Sequence, residues 1–233
     1  MHRLAQPTKA LLLDALGTLL TFDDPAPRLR AALRERLGVR VSDEAAREAM
    51  RAEIRYYRAH LHEGRDAASL LDLRRRCAAV MRPALGVDPG VDVLLAALHF
   101  RAYPDAAPAL RELRGRGVRL VVVSNWDVSL HDRLQETGLA ELVDGAVASA
   151  ELGHAKPDGA IFARALELAG VGAAAAVHVG DTLEVDVAGA RAAGLRAVLV
   201  ARDGAPAAAP PGVPVIASLA ELPALCQYPH LRP

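Results

Sequence analysis

Aromatic side chains are scarce, at 3% of the 233 residues, so any core this chain builds must be aliphatic. Hydrophobic residues still reach 52%, which excludes an intrinsically disordered chain and supplies enough apolar surface for a core. Cysteine is nearly missing. Cys77 and Cys226 stand alone with no paired spacing, which excludes a disulfide framework or a structural zinc site and suits a reducing compartment. Charge of one sign is lacking as well: 28 basic and 28 acidic residues cancel, so no positive field exists to track phosphate backbones, and nucleic acid is excluded as a partner. No run of about 18 apolar residues free of charge or proline occurs, which argues against a membrane-spanning helix. The first apolar stretch breaks at Asp14, too early for a signal peptide, and a cytoplasmic protein is expected.

Lysine is the last scarcity. Against 26 arginines there are only two lysines, Lys9 and Lys156. Where nearly every cation is a planar guanidinium, an isolated lysine inside the chain points to a position that needs a compact ammonium.

A chain of 24.6 kDa exceeds one minimal domain and falls short of two full ones, which predicts a single core carrying an insertion. Ala10 to Leu13 reads as a strand buried on both faces. From Pro25 to about Leu98 the apolar spacing turns helical, through Leu29-Leu33-Leu37, Ala46-Met50-Ile54-Tyr57-Leu61, Leu70-Leu73-Cys77-Val80 and Val91-Leu94-Leu98, predicting four successive helices. After Pro104 strands and helices alternate: strands over Val118–Val123, Val143–Ala148, Ala176–Val179 and Ala197–Val200, helices over Leu130–Leu134, Ile161–Leu168 and Val185–Ala193. Asp203 to Pro214 reads as a surface connection before a last short strand and helix. The fold class is therefore α/β: a Rossmann-like parallel sheet core, residues 1–22 and 99–233, interrupted by an all-helical insertion, residues 23–98.

Open parallel sheets bind ligands beyond the carboxyl ends of their strands. Four polar stretches fall there: Asp14-Ala15-Leu16-Gly17-Thr18, Ser124-Asn125-Trp126-Asp127, Lys156-Pro157, and Asp181 after His178-Val179-Gly180. Carboxylates converging at one rim repel unless a cation lies between them, and Mg²⁺ is the usual oxygen-ligated choice. An ammonium beside them keeps the nearer carboxylate ionised, and such a carboxylate can attack a phosphoryl group whose oxygens are held by a hydroxyl and a cation.

The four stretches Asp14-x-x-Gly17-Thr18-Leu19, Ser124-Asn125, Lys156-Pro157-Asp158-x-x-Ile161-Phe162 and Gly180-Asp181-x-x-x-x-Asp186-x-x-Gly189-Ala190 resemble, in order, the motifs of the haloacid dehalogenase-like hydrolase superfamily. The resemblance implies that Asp14 is the nucleophile, Ser124 and Lys156 bind the transferred group, and Asn125, Gly17 and Thr18 line its site. It implies Mg²⁺ held by Asp14, the Leu16 carbonyl and Asp181, with Asp186 in support, and a helical cap formed by the insertion. The expected partner is a small phosphorylated molecule, with the chain a monomer or homodimer.

One position departs from that pattern. The family's phosphatases carry a second aspartate two residues after the nucleophile, and here it is Leu16, which cannot carry a proton. Three accounts follow: a phosphatase using a good leaving group or an acid from the insertion, with Tyr56, His60, His62 and Glu63 as candidates; an idle binder of a phosphorylated ligand; or a metal-independent 2-haloacid dehalogenase. The Gly180-Asp181 stretch with Asp186 resembles the phosphatase form and opposes the last. Asp127 reads either as a lining residue of the site mouth or as a helix cap, His178 as strand packing, His154 as a loop residue without function, and Arg74 to Arg76 as a solvated face.

Overall fold

A computed structural model of the chain describes residues 7–202, 204 and 209–226. Positions 203 and 205–208 of the expected surface connection lie outside the described residues. Strand β1 (Ala10–Leu13) is wholly buried, as its unbroken apolar run requires. A short strand β2 (Leu20–Phe22) follows, and then the helices α1 (Pro25–Leu37), α2 (Asp43–His60), α3 (Ala67–Ala79), α4 (Arg82–Leu85) and α5 (Gly90–Ala97). Strand β3 (Phe100–Ala102) pairs with β2 in a two-stranded ribbon. The remainder runs α6 (Ala106–Gly115), β4 (Arg119–Ser124), α7 (Leu130–Glu136), β5 (Gly145–Ala148), α8 (Ser149–Leu152), α9 (Gly159–Ala169), β6 (Ala176–Gly180), α10 (Gly189–Ala192), β7 (Arg196–Val200), β8 (Val215–Ile216) and α11 (Leu222–Leu225).

The chain divides into two compact units. One comprises the chain up to Thr21, Ala102–Asn125 and the chain from Ser129; the other comprises Phe22–Arg101 and Trp126–Val128. The first is the α/β unit that the alternation predicts. Its sheet has the order β5-β4-β1-β6-β7-β8, and every pairing is parallel. The chain moves outward from β1 to β4 and β5, then returns to β6 on the other side of β1. That reversal makes a topological switch point beside β1, the place where such sheets open a crevice at their carboxyl ends. Leu12, Val121, Val123, Ile161, Phe162 and Leu199 form part of one continuous aliphatic core on the sheet.

The second unit closes its own core around Leu29, Leu33, Met50, Leu73, Met81 and Leu94. Its helices start where the sequence offers caps. Asp24 accepts from Ala26 N–H ahead of α1, Ser42 from Ala45 N–H ahead of α2, and Asp66 and Ser69 close a reciprocal box on α3. Gly38 ends α1 in the left-handed region at φ 68°.

Three expectations change. The four helices are five, because Pro83 and Gly86 bound the extra single turn α4. The β2–β3 ribbon adds two strands too short to show a period in the sequence. The helix expected over Val185–Ala193 opens instead as a wide turn, Leu183–Ala188, with Val187 N–H donating to Thr182 O at 3.2 Å. Only α10 is regular there. Such wide turns gather at functional sites, and this one carries Asp186.

Candidate active site

Asp14 follows β1 directly, and its N–H still joins the sheet by donating to Val179 O at 2.9 Å. The backbone of the expected nucleophile is thus fixed by the strand ladder. Ser124 ends β4, and its hydroxyl donates to Asp14 Oδ1 at 3.2 Å. Lys156 lies between α8 and α9, and its buried ammonium donates to Asp14 Oδ1 at 2.6 Å and Asp186 Oδ1 at 2.7 Å. What aims this lysine is Asn125. The Asn125 Nδ2 donates to Lys156 O at 2.9 Å while its Oδ1 accepts from Lys156 N–H at 2.7 Å, a two-point clasp on the lysine backbone.

Glycines admit the carboxylates. Gly17 has φ +88°, and a Cβ there would stand 2.0 Å from Asp181 Oδ2. A Cβ on Gly180 would stand 2.3 Å from Asp186 Cγ. Neither position tolerates a side chain while its aspartate stays in place. Asp14, Asp181 and Asp186 each bring an oxygen into one group whose members lie within 4.8 Å of one another.

The charges do not balance within this group. At an effective dielectric of about 20, two carboxylates 4.8 Å apart repel by about 3.5 kcal/mol. Lys156 supplies one positive charge against three carboxylates. Burial opposes that charge, but the contacts with Asp14 and Asp186 outweigh it and hold the proton on Lys156. Burial likewise pushes Asp186 up, yet the hydrogen bond from His178 and the charge of Lys156 overcome it and keep the carboxyl below the usual range. Burial lifts Asp14, with Lys156 pulling against the lift. Asp181 stands at the exposed rim; partial desolvation, with Asp14 and Asp186 behind it, raises its carboxyl to about 6. An oxygen-lined group with unneutralised negative charge is the donor set a hard divalent cation takes. Among the described residues Asp14 Oδ2 accepts no hydrogen bond, and Asp181 accepts only from its neighbour Thr182 Oγ1 at 3.1 Å.

The expected residues divide by what their atoms do. Asp14, Ser124, Lys156, Asp181 and Asp186 come together. Asp186 has both oxygens engaged, Oδ1 by Lys156 and His178 and Oδ2 by Thr182 N–H. The Thr18 hydroxyl is fully buried and has no partner among the described residues. The Leu16 side chain is 38% exposed at the mouth of the turn.

His178, expected as strand packing, is packed and also makes a polar contact. Its ring does pack edge-on against Phe162 at 5.1 Å, but Nε2 also donates to Asp186 Oδ1 at 2.8 Å. Burial keeps the imidazole neutral, and Nδ1 is left bare. A polar ring amid a fully buried strand needs a partner, and that rule was the available signal. His154 pairs with Asp158 at the surface.

In the helical unit the candidate acids form a surface cluster. Tyr56 stacks on His60 at 4.1 Å, Arg76 donates to the Tyr56 hydroxyl and the Glu63 carboxylate, and His62 is exposed. Arg76 thus has partners and is not a bare solvated cation. The proton-bearing group lies deeper. Glu53 is buried, and burial pushes its carboxyl up to about 7. Tyr57 donates to Asp127 Oδ2 at 2.9 Å, which ties Asp127 into this unit.

Comparison with known proteins agrees with the geometry. The family model described as haloacid dehalogenase-like hydrolase matches residues 8–194. Haloacid dehalogenase-like hydrolase domain-containing protein 3 of Bos taurus is 46% identical over 96 residues, 41% of this chain and 38% of that protein. Glyceraldehyde 3-phosphate phosphatase of Methanopyrus kandleri is 31% identical over 204 residues, 83% of this chain and 84% of that one. Solved structures of an HAD phosphatase from Thermococcus onnurineus (27% identity, TM-score 0.65, covering 94% and 97% of the two chains) and a 2-haloacid dehalogenase from Pseudomonas syringae (27%, 0.64, 94% and 97%) share the fold. Matched over most of its length to that family model and aligned over 83% of its length with a phosphatase, the chain belongs to the haloacid dehalogenase-like hydrolase family.

Proposed function

We propose that this chain is a Mg²⁺-dependent phosphatase of a small phosphorylated compound, working through an aspartyl phosphate on Asp14. The observation that carries the reading is the Lys156 ammonium 2.6 Å from Asp14 Oδ1 with the Asp181 carboxylate in the same group. Asp14 and Asp181 would hold the cation, with the Leu16 carbonyl, while Asp186 holds Lys156 and His178 in place. The cation, when bound, neutralises charge on the phosphoryl oxygens and keeps both aspartates ionised.

Asp14 Oδ2 attacks phosphorus, and the bond to the leaving oxygen breaks with its electron pair going to that oxygen. Ser124 and Lys156 donate to the equatorial oxygens as charge builds there. Leu16 offers the leaving group no proton. An acyl phosphate suits such a site, because a carboxylate departs without one; a missing general acid costs about 10² to 10⁴ in rate on an ordinary ester. The helical insertion, residues 23–98, is assigned the part of the family's cap. The phosphatase relative aligned over 83% of the chain supports a small phosphorylated substrate.

Leu16 also favours a second reading, a binder of phosphorylated ligands without turnover. One experiment separates the two. Phosphate release from acyl phosphates and esters is measured with and without Mg²⁺ in wild type, Asp14→Asn and Leu16→Asp. Turnover by wild type on acyl phosphates, lost in Asp14→Asn and extended to esters about 10²-fold or more in Leu16→Asp, is the expected result. Silence in wild type with activity in Leu16→Asp supports the binder. Metal-independent halide release that vanishes in Asp14→Asn overturns both in favour of a dehalogenase.

A further inference from the structure

Arg202 lies just past β7, outside all four stretches that the sequence singles out. Its guanidinium reaches in two directions. Toward the turn after Asp14, Nε donates to Gly17 O at 3.3 Å and Nη2 to Thr18 O at 2.6 Å. On the other side Nη1 and Nη2 meet Asp105 Oδ2 and Oδ1 at 3.0 and 3.2 Å, and the cation lies over the Tyr103 ring, 3.5 Å from its centroid. Asp105 is itself held by the Ser218 hydroxyl at 2.7 Å and Leu219 N–H at 2.8 Å. The guanidinium is therefore locked from one side and free to act on the other only as a fixed fork.

The far end of the turn is anchored by Tyr103 N–H donating to Leu19 O at 2.9 Å, while the Gly17 and Thr18 carbonyls are held by Arg202. Gly17 N–H donates to Leu20 O and Leu19 N–H to Ala15 O, both within the turn, and the Thr18 hydroxyl finds no partner. Gly17 is also the residue whose missing Cβ leaves room for the Asp181 carboxylate. We propose that Arg202 is a positioning residue: it fixes the turn after Asp14 and, through Gly17, the place of Asp181 relative to Asp14. This rests on the reading of Asp14 and Asp181 as the working carboxylates given above. Lysine cannot replace it, since one ammonium does not reach two carbonyls and a bidentate carboxylate while stacked on a ring.

The test is a calorimetric titration of Mg²⁺ into wild type, Arg202→Ala and Arg202→Lys, beside kinetics at saturating Mg²⁺. Loss of an outer positioning contact raises the cation dissociation constant about 10- to 100-fold in both variants. At saturating cation kcat falls while KM is unchanged. Guanidinium at a non-denaturing concentration restores Arg202→Ala, and methylammonium does not, a shape requirement that loss of general stability does not produce. Should Arg202→Ala fail to fold, the Arg202→Lys titration decides. Wild-type cation affinity in the folded variant, or no cation affinity in wild type, overturns the proposal. Absence of phosphate release by wild type defeats the phosphatase reading instead, and leaves the titration still able to show whether Arg202 sets cation affinity.

Discussion

Two buried acidic groups, one in each unit, meet opposite fates. In the α/β unit Asp14 and Asp186 are buried with the Lys156 ammonium between them, and Asp186 keeps its charge. In the helical unit Glu53 is as deeply buried, yet no ion pair reaches it among the described residues; burial outweighs the opposing pull of the Cys77 thiol, and its carboxyl holds a proton up to about 7. Burial acts the same way in both places, favouring the neutral form. The difference is one cation. It makes the first group a place that stores charge and the second a place that stores a proton.

Removing that cation should break the comparison most severely. Lys156→Met leaves Asp14 and Asp186 buried and uncompensated, and breaking a buried pair in this way costs about 3 to 5 kcal/mol. Urea unfolding at neutral pH reads the loss; a change under about 1 kcal/mol would show that water already compensates these carboxylates.

The next effect lies in the proton store and is a matter of pH. Glu53 has a folded pKa of about 7 against an ordinary 4.5, so the folded chain binds the proton more tightly than the unfolded chain. The contribution to stability is present in full below pH 4.5, declines as pH rises, and is gone above about 7, a fall of about 3 kcal/mol. Glu53→Gln, which cannot ionise, should flatten this part of the stability profile and exceed wild type in the alkaline range. Parallel profiles for the two proteins would mean that Glu53 finds solvent or a counter-charge when ionised.

The smallest effect sharpens the picture of the same store. Tyr57→Phe removes the hydroxyl that donates to Asp127 and should cost about 1 to 2 kcal/mol in thermal or urea unfolding. Without that cost, Asp127 would owe nothing to Tyr57.

Much of the α/β unit was legible because its logic is linear. A fully apolar run such as Ala10–Leu13 can only be a covered strand, and the polar residue that ends it, Asp14, falls where parallel sheets place their chemistry. Lys156 announced itself by composition alone. The supporting contacts were not legible, because they join residues far apart in the chain by side-chain geometry: Asn125 to the Lys156 backbone, His178 to Asp186, Arg202 to Gly17 and Thr18. Glu53 was hidden for another reason. It sits on a helix whose neighbours are charged and solvated, and only the packing of α2 against its unit buries it.

The chain's two lysines give the α/β unit a chemical witness. Lys9 is exposed, whereas Lys156 is shut behind two carboxylates. An acylating reagent will therefore label Lys9 at once and reach the second ε-amine only as fast as the core opens. The arginines are inert to such reagents, so the adduct located on Lys156 by peptide mass against time measures how often this buried centre comes apart.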